Sequence, residues 1–179
     1  KLSGKVNNEI PISIVKTLRH RIKDFKNKKI LILGVAYKKN VDDLRESPAL
    51  KIIQLLIKYN IKFDFMDPYI KIIKTRNIKS IYKAKKINYK NLKSYSISLL
   101  VTDHDWFDYK KILKNSNLIL DCRGKFAFSK NPKIIQVKMK KVKKNKYLIF
   151  YKYLKKNQLR LRKQHNKKFI SLYQRLLKS

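Results

Sequence analysis

Glycine and cysteine are scarce in this sequence, and their scarcity excludes whole classes of protein. Its 179 residues include 3 Gly and 1 Cys. With so few glycines, the G-x-G-x-x-G fingerprint of dinucleotide-binding turns is absent. The single cysteine, Cys122, excludes an internal disulfide framework and predicts a reducing compartment, which we take to be the cytoplasm. No apolar run reaches about 18 residues, so no membrane span is predicted. The sequence begins at Lys1 rather than at methionine, and we expect it to be a piece of a longer protein.

Acidic residues are also few, and basic residues outnumber them several-fold. The sequence has 47 Lys and Arg against 11 Asp and Glu, which gives a net charge of +36. All acidic residues lie at or before Asp121, so residues 122–179 are basic throughout. Such a charge predicts binding to nucleic acid or to another anionic polymer or surface. Biased coding composition is the alternative, and it is favoured by the excess of lysine over arginine, because arginine is the better phosphate ligand.

Residues 29–68 carry the clearest pattern in the sequence. An apolar run over residues 30–33 is followed by a charged loop, an amphipathic stretch over residues 48–58 and a second strand-like run over residues 62–66. This order predicts the strand–loop–helix–strand unit of a parallel sheet. The loop then lies at the carboxyl end of a strand and the amino end of a helix. Ligands bind at that position in open α/β sheets, and helix N-termini favour anions.

Three residues mark the ends of the predicted helix. Ser47 suits the N-cap, and Pro48 suits the first helical position, where its missing N–H costs nothing. Asn60 suits the helix exit, because asparagine tolerates the left-handed backbone conformation.

The same residues carry a family resemblance. Residues 34–53 read GVAYKKNVDDLRESPALKII, and Asp-Pro follows at residues 67–68. This pattern resembles the opening of the C-terminal domain of the UDP-glucose/GDP-mannose dehydrogenase family. The Asn-x-x-x-Pro spacing of residues 7–11 resembles the family's central helix. LVTDHDWF at residues 100–107 and LDCRG at residues 120–124 resemble two of its later segments.

The resemblance implies a fold and a function. It implies an α/β, Rossmann-like three-layer domain with a parallel sheet over residues 28–126, preceded by the end of a central linker helix at residues 1–27. Full-length members form homodimers and use NAD to oxidise the C6 alcohol of a UDP-hexose or UDP-N-acetylhexosamine to a uronic acid for surface polysaccharide. The family's NAD fingerprint and catalytic-cysteine segment are absent from these residues. We therefore expect this chain to bind a UDP-sugar and to be inactive alone.

The resemblance also implies roles for four side chains. Tyr37 and Lys38 match the aromatic–lysine pair that contacts the nucleotide sugar. Arg123 matches an arginine that approaches substrate from the partner subunit, and Arg45 matches one that reaches NAD. Physical chemistry supports Lys38, since a lysine at a strand end near a helix N-terminus suits a diphosphate. The plainer alternative is that Lys38 is one solvated lysine among many.

Three further groups allow a catalytic or a structural interpretation. The acidic residues within 42–46 could form a metal or acid–base cluster, or could orient nearby basic side chains. His104, between two aspartates, could bind metal or act as a base, or could serve structurally at a helix start. Cys122 could be a thiolate activated by Arg123, or a small half-buried residue standing where the family has threonine.

The remaining segments are predicted from periodicity. Residues 3–26 read as a helix whose apolar face would be exposed in this chain alone. Further predicted elements are strands at residues 96–101 and 118–121 and a helix at residues 104–114, capped by Asp103 or Asp105. Residues 69–95 are ambiguous, with a short helix at residues 71–75 as one option.

The basic tail, residues 127–179, does not resemble the family's ending. We predict one strand within residues 132–146 and a basic amphipathic helix or helix pair over residues 147–179. Two alternatives to the dehydrogenase interpretation follow from the tail. The first is a nucleic-acid or anionic-surface binder, although no recognised nucleic-acid motif is present. The second is a decayed gene fragment without a selected function.

Overall fold

A parallel sheet lies at the centre of the structure, which is a computed structural model that describes residues 2–22, 24–25, 27–86 and 88–137. Its elements, in chain order, are α1 (Leu2–Arg21), β1 (Lys29–Leu33), α2 (Pro48–Lys58), β2 (Lys62–Met66), β3 (Ile72–Thr75), β4 (Ile78–Lys83), a 3₁₀ helix (Tyr89–Ser94), β5 (Ile97–Leu100), α3 (Tyr109–Asn115), β6 (Ile119–Asp121) and β7 (Ile134–Gln136). Five strands form the sheet in the order β2-β1-β5-β6-β7, and every pairing is parallel.

The two faces of the sheet are both covered, which makes the fold three-layered. Ile30 and Ile32 of β1 lie on the face that packs against α1 and α2. Leu31 and Leu33 lie on the other face, in a cluster that includes Ile112 of α3. Since side chains alternate along a strand, β1 is apolar at every buried position because both of its faces are covered. The predicted α/β, Rossmann-like fold is confirmed.

Helix α2 begins and ends as its sequence predicts. The Ser47 side chain accepts a hydrogen bond from the amide of Ala49, and Pro48 occupies the first turn. Asn60 follows the helix with a φ of 52°. The amphipathic face of α2 is buried against the sheet, with Ile52 and Leu56 fully inaccessible.

The first helix differs from its prediction in length and in burial. It ends at Arg21 rather than at residue 26. Three basic residues occupy its last turn, where positive charge interacts favourably with the helix dipole. The prediction that its apolar face would be exposed is wrong. Ile14, Leu18 and Ile22 are buried in the same cluster as α2, so α2 supplies the surface that covers α1.

Two local predictions after β2 are also corrected. Residues 72–83 form the antiparallel hairpin β3–β4, so the short helix considered for residues 71–75 is wrong. Helix α3 begins at Tyr109, not near residue 104, and its N-cap is Asp108, which accepts a hydrogen bond from the amide of Lys111. The other two aspartates, Asp103 and Asp105, instead bind basic side chains.

Strand β7 forms one edge of the sheet, beside β6. It lies within the range in which one strand was predicted. The helical prediction for residues 147–179 lies outside the described residues. In the part of the chain that the structure describes, no helix is long and apolar enough to cross a membrane.

Candidate functional site

The candidate site lies at the carboxyl edge of the sheet, where the chain leaves neighbouring strands in opposite directions. From β1 the chain proceeds to β2 on one side, whereas from β5 it proceeds to β6 on the other. Such a topological switch point is where open α/β sheets bind ligands. The loop after β1, residues 34–46, and the loop after β5, residues 101–108, meet here.

The first residues of the β1 loop are fixed by side chains from three distant stretches. The amides of Val35 and Ala36 both donate to Asp67 Oδ2, at 2.6 and 3.1 Å. The carbonyl of Val35 accepts from Ser47 Oγ at 2.7 Å, and that of Ala36 accepts from Thr102 Oγ1 at 2.6 Å. All four polar backbone groups of this dipeptide are therefore bound, so the direction in which the chain enters the loop is fixed.

Asp67 is the centre of this arrangement. Its buried side chain accepts hydrogen bonds from four backbone amides, those of Val35, Ala36, Tyr69 and Ile70. It also lies 3.1 Å from His104 Nε2. Burial would raise the pKa of Asp67, but the hydrogen bonds to its carboxylate outweigh burial and lower the pKa. The sequence marked this residue as the end of a strand and as part of the Asp-Pro motif. Its bonding role was not predicted, because Val35, Ala36 and His104 lie more than 30 positions away.

His104 joins the two loops through both ring nitrogens. The ring is fully buried, and its Nδ1 accepts the amide N–H of Asn40 at 2.9 Å while Nε2 faces Asp67. An acceptor at Nδ1 and a carboxylate at Nε2 assign the neutral ring with its proton on Nε2. A structural role for His104 is supported, but its predicted place at a helix start is wrong, because α3 begins five residues later and His104 instead joins two loops.

The Asn40 side chain completes the link between the loops. Its amide donates to Asp105 Oδ2 at 2.7 Å, and its carbonyl oxygen accepts the Asp105 amide at 3.0 Å. Lys39 Nζ lies 2.6 Å from Asp105 Oδ1. Lys39 and Asn40 hold the pKa of the Asp105 carboxyl below its ordinary value.

Tyr37 and Lys38 directly follow the fixed Val35–Ala36 dipeptide in the β1 loop. Both are exposed, and Lys38 Nζ lies 5.5 Å from the centroid of the Tyr37 ring. The Tyr37 amide donates to the carbonyl of Asp43 at 2.6 Å, which closes the loop on itself. An ammonium group and an aromatic face are thus presented together at the edge of the sheet.

Arg45 lies in the same loop and faces solvent. Its guanidinium donates to both carboxylate oxygens of Asp43, at 3.0 and 3.2 Å, yet its side chain remains 89% exposed. The Arg45 hydrogen bond is the main reason that the pKa of Asp43 is lowered. Asp43 therefore orients a basic neighbour, as the structural interpretation predicts. In the described residues, no group of three or more His, Cys, Asp or Glu is placed to hold a metal ion.

Arg123 follows β6 at the same edge of the sheet. Its Nε donates to Asp103 Oδ1 at 3.1 Å, and its amide donates to buried Asp121. Asp103 belongs to the loop after β5. Arg123 therefore adds to the exposed side chains at this edge of the sheet, which include Tyr37 and Lys38 and which we call the rim.

Cys122 lies beside Arg123 and is not activated by it. Burial raises the pKa of the Cys122 thiol, Asp121 adds to the rise, and Arg123 offsets only part of it. A thiol that stays protonated is a poor nucleophile. This supports the small, half-buried residue that the structural interpretation describes.

We expect Cys122 to react with iodoacetamide about tenfold or more slowly than a free thiol at neutral pH, because the thiolate is the reactive form. Mass spectrometry would follow the modification, and Cys122 is the single cysteine in the sequence. The same protein in urea serves as the control and should react at the free-thiol rate. Equal rates in folded and unfolded protein would contradict the assignment.

Comparison with known proteins identifies the family. Residues 31–127 match the UDP binding domain of the UDP-glucose/GDP-mannose dehydrogenase family. The chain belongs to this family. The family assignment made from the motifs of the β1 loop is confirmed.

Similar proteins are sugar-nucleotide dehydrogenases, and this chain spans less than a third of their length. It is 43% identical over 60 residues to UDP-N-acetyl-D-mannosamine dehydrogenase of Campylobacter jejuni, covering 34% of this chain and 15% of that protein. It is 27% identical over 132 residues to NDP-N-acetyl-D-galactosaminuronic acid dehydrogenase of Ralstonia nicotianae, covering 71% and 30%.

Among solved structures, the chain resembles the native UDP-N-acetyl-mannosamine dehydrogenase Cap5O of Staphylococcus aureus. The TM-score is 0.56 at 26% sequence identity, over 74% of this chain and 31% of that one.

Proposed function

We propose that this family member binds the nucleotide half of a UDP-sugar at the carboxyl edge of its sheet. The observation that carries the proposal is the fixed β1 loop, which presents Tyr37 and Lys38 together at the switch point. Lys38 would bind the diphosphate, and Arg123 would bind the same substrate from the rim after β6. Arg45, which is exposed and planar, would reach NAD supplied by another part of the enzyme.

We propose that the parent reaction is the NAD-dependent oxidation of a UDP-N-acetylhexosamine, or of a UDP-hexose, to the corresponding uronic acid. The names of the Campylobacter and Staphylococcus relatives support the N-acetylhexosamine branch. The 179 residues lack the NAD fingerprint and a reactive cysteine. This chain alone should therefore hold substrate without oxidising it, and a homodimer of the full-length form stays a prediction. UDP-sugar-dependent NADH formation by the chain alone would contradict this part of the proposal.

We expect calorimetry at physiological salt to show saturable binding of UDP-N-acetylmannosamine, and Lys38→Ala or Arg123→Ala to weaken it about tenfold or more. Each substitution removes a hydrogen bond to a charged oxygen, the strongest type. Lys62→Ala is the matched control for Lys38→Ala, because Lys62 is an exposed lysine that begins β2 at the opposite edge of the sheet.

The same titration separates the alternative of general anion binding. Binding through the basic residues 127–179 would be shared by all three variants and would fall steeply as salt is raised. Either that pattern or the absence of binding would overturn the proposed nucleotide site.

A further inference from the structure

We propose that His104 is a positioning residue for nucleotide binding, which in its neutral form holds the loop that carries Lys38, so that protonation of His104 weakens binding. This inference rests on the proposed function and assigns its regulation. It starts from the two bonds of the buried ring, one to Asp67 and one from the Asn40 amide.

The bond to Asn40 controls the position of the loop. Asn40 lies two residues after Lys38 and has a φ of 58°, in the left-handed region that asparagine adopts more readily than most residues. Beyond the fixed Val35–Ala36 dipeptide, the backbone of this half of the loop is tied to the β5 loop at the Asn40 amide. His104 therefore helps to determine where the residues just after Lys38 lie, together with the two bonds between the Asn40 side chain and Asp105.

Protonation would affect the two bonds of His104 in opposite ways. A proton on Nδ1 would face the Asn40 N–H across 2.9 Å, and two donors in that position repel. The contact with Asp67 would become an ion pair and would hold the ring in place. Since the ring stays, the Asn40 peptide has to move, and it carries the Lys38 side of the loop with it.

The surroundings of His104 contain charges of both signs. The groups that face it, or that bind its immediate neighbours, come from four elements: Asp67 and Tyr69 after β2, Asn40 and Lys39 after β1, Asp103, Asp105, Phe107 and Tyr109 after β5, and Arg123 after β6. Among the acidic groups, Asp103 and Asp105 are each paired with a basic side chain. Asp67 is thus the carboxylate in contact with the ring, and the Asn40 amide is the backbone donor in contact with it.

The test compares UDP-N-acetylmannosamine affinity by calorimetry at about pH 8 and about pH 5.5, the range over which histidines change charge. The diphosphate of this ligand is esterified at both ends and keeps its charge across the range. For the unmodified chain we expect binding roughly tenfold weaker at the lower pH, because only the loop-closed fraction binds.

His104→Gln supplies the matched control. Glutamine is neutral at both pH values and carries one donor group and one acceptor, as neutral histidine does. We expect the affinity of His104→Gln to change little between the two pH values, whereas that of the unmodified chain falls. Because His20 and His165 remain in both proteins, their contributions cancel in the comparison.

The Asn40→Gly substitution separates the contribution of the Asn40 side chain from that of the bond between the backbone amide of residue 40 and His104. Glycine keeps the left-handed backbone and the amide that reaches His104, but it removes both bonds to Asp105. Binding should weaken about threefold or more at both pH values, and the pH response should persist.

The outcomes distinguish this inference from the proposed function. Absence of binding at either pH overturns the proposed nucleotide site and this inference with it. Binding that is equal at both pH values, or that falls equally in His104→Gln, overturns the inference alone. If His104→Gln fails to fold, ¹⁵N NMR of the unmodified chain decides. The ¹⁵N chemical shift of His104 Nδ1 should be that of an unprotonated nitrogen at the higher pH. Its protonation at the lower pH should change the chemical shift of the Asn40 amide. A protonated Nδ1 at the higher pH overturns the inference.

Discussion

Asp67→Asn is expected to lower the free energy of unfolding by about 4 kcal/mol, since breaking a buried charged network typically costs this much. Oδ2 of Asp67 accepts two amides and faces His104, and Oδ1 accepts two more amides. Asparagine would turn an NH₂ group toward one of these sets of donors. Urea denaturation monitored by circular dichroism would measure the loss.

Asp42→Asn is the control for this substitution, since Asp42 is an exposed aspartate of the neighbouring loop. Its effect should stay within about 0.5 kcal/mol. Similar losses in the two variants would contradict the central role of Asp67.

The loss of stability caused by Asp67→Asn should also depend on pH. Its pKa is lowered in the folded chain, so its carboxylate stabilises the fold fully above the ordinary value of roughly 4. That contribution disappears as the pH falls through the lower folded-state pKa. The difference in stability between the unmodified chain and Asp67→Asn should therefore shrink in acid, and a difference that grew in acid would contradict this assignment.

Gly34→Ala is expected to cost roughly 3 kcal/mol, the sum of left-handed strain and overpacking. Gly34 has a φ of 75°, and a Cβ placed on it would lie 2.2 Å from the carbonyl oxygen of Thr102. The obstacle is backbone at the junction of β1 and β5, so a side-chain rotation cannot relieve it. Urea denaturation would again give the free energy of unfolding.

Asn60→Ala isolates the strain from the clash. Asn60 shares the left-handed conformation, with a φ of 52°, but it is exposed at the end of α2. Its substitution should cost about 1 kcal/mol. If Gly34→Ala cost no more than Asn60→Ala, the close approach to Thr102 would make no contribution to the loss in the free energy of unfolding.

The parts of the fold that follow local rules could be predicted from the sequence. Ser47, Pro48 and Asn60 mark the ends of α2 by their own conformational preferences, and the apolar run of β1 indicates a strand covered on both faces. The β3–β4 hairpin was missed because its turn, Arg76-Asn77, lacks the glycine that usually signals a two-residue turn.

The site was predicted only in part, because its geometry depends on distant contacts. The family motif singled out Tyr37 and Lys38, which face solvent. It gave no indication that Asp67 and His104 fix the loop behind them, because hydrogen bonds between residues 31 to 64 positions apart leave no local pattern. The start of α3 was misplaced for a similar reason, since three aspartates compete for the N-cap and two of them bind basic partners elsewhere.

The central position of β1 has a consequence for the order in which a nascent chain assembles. When β1, α2 and β2 have left the ribosome, β1 has a neighbour on one side only, because its other partner, β5, begins about 30 residues after the end of β2. Until then the hydrogen-bonding edge of an apolar strand stays open, and such an edge pairs readily with other chains. Arrival of β5 closes that edge and delivers His104 to Asp67. Translational pausing before residue 97 should therefore be the most aggregation-prone stage of synthesis for the described part of this protein.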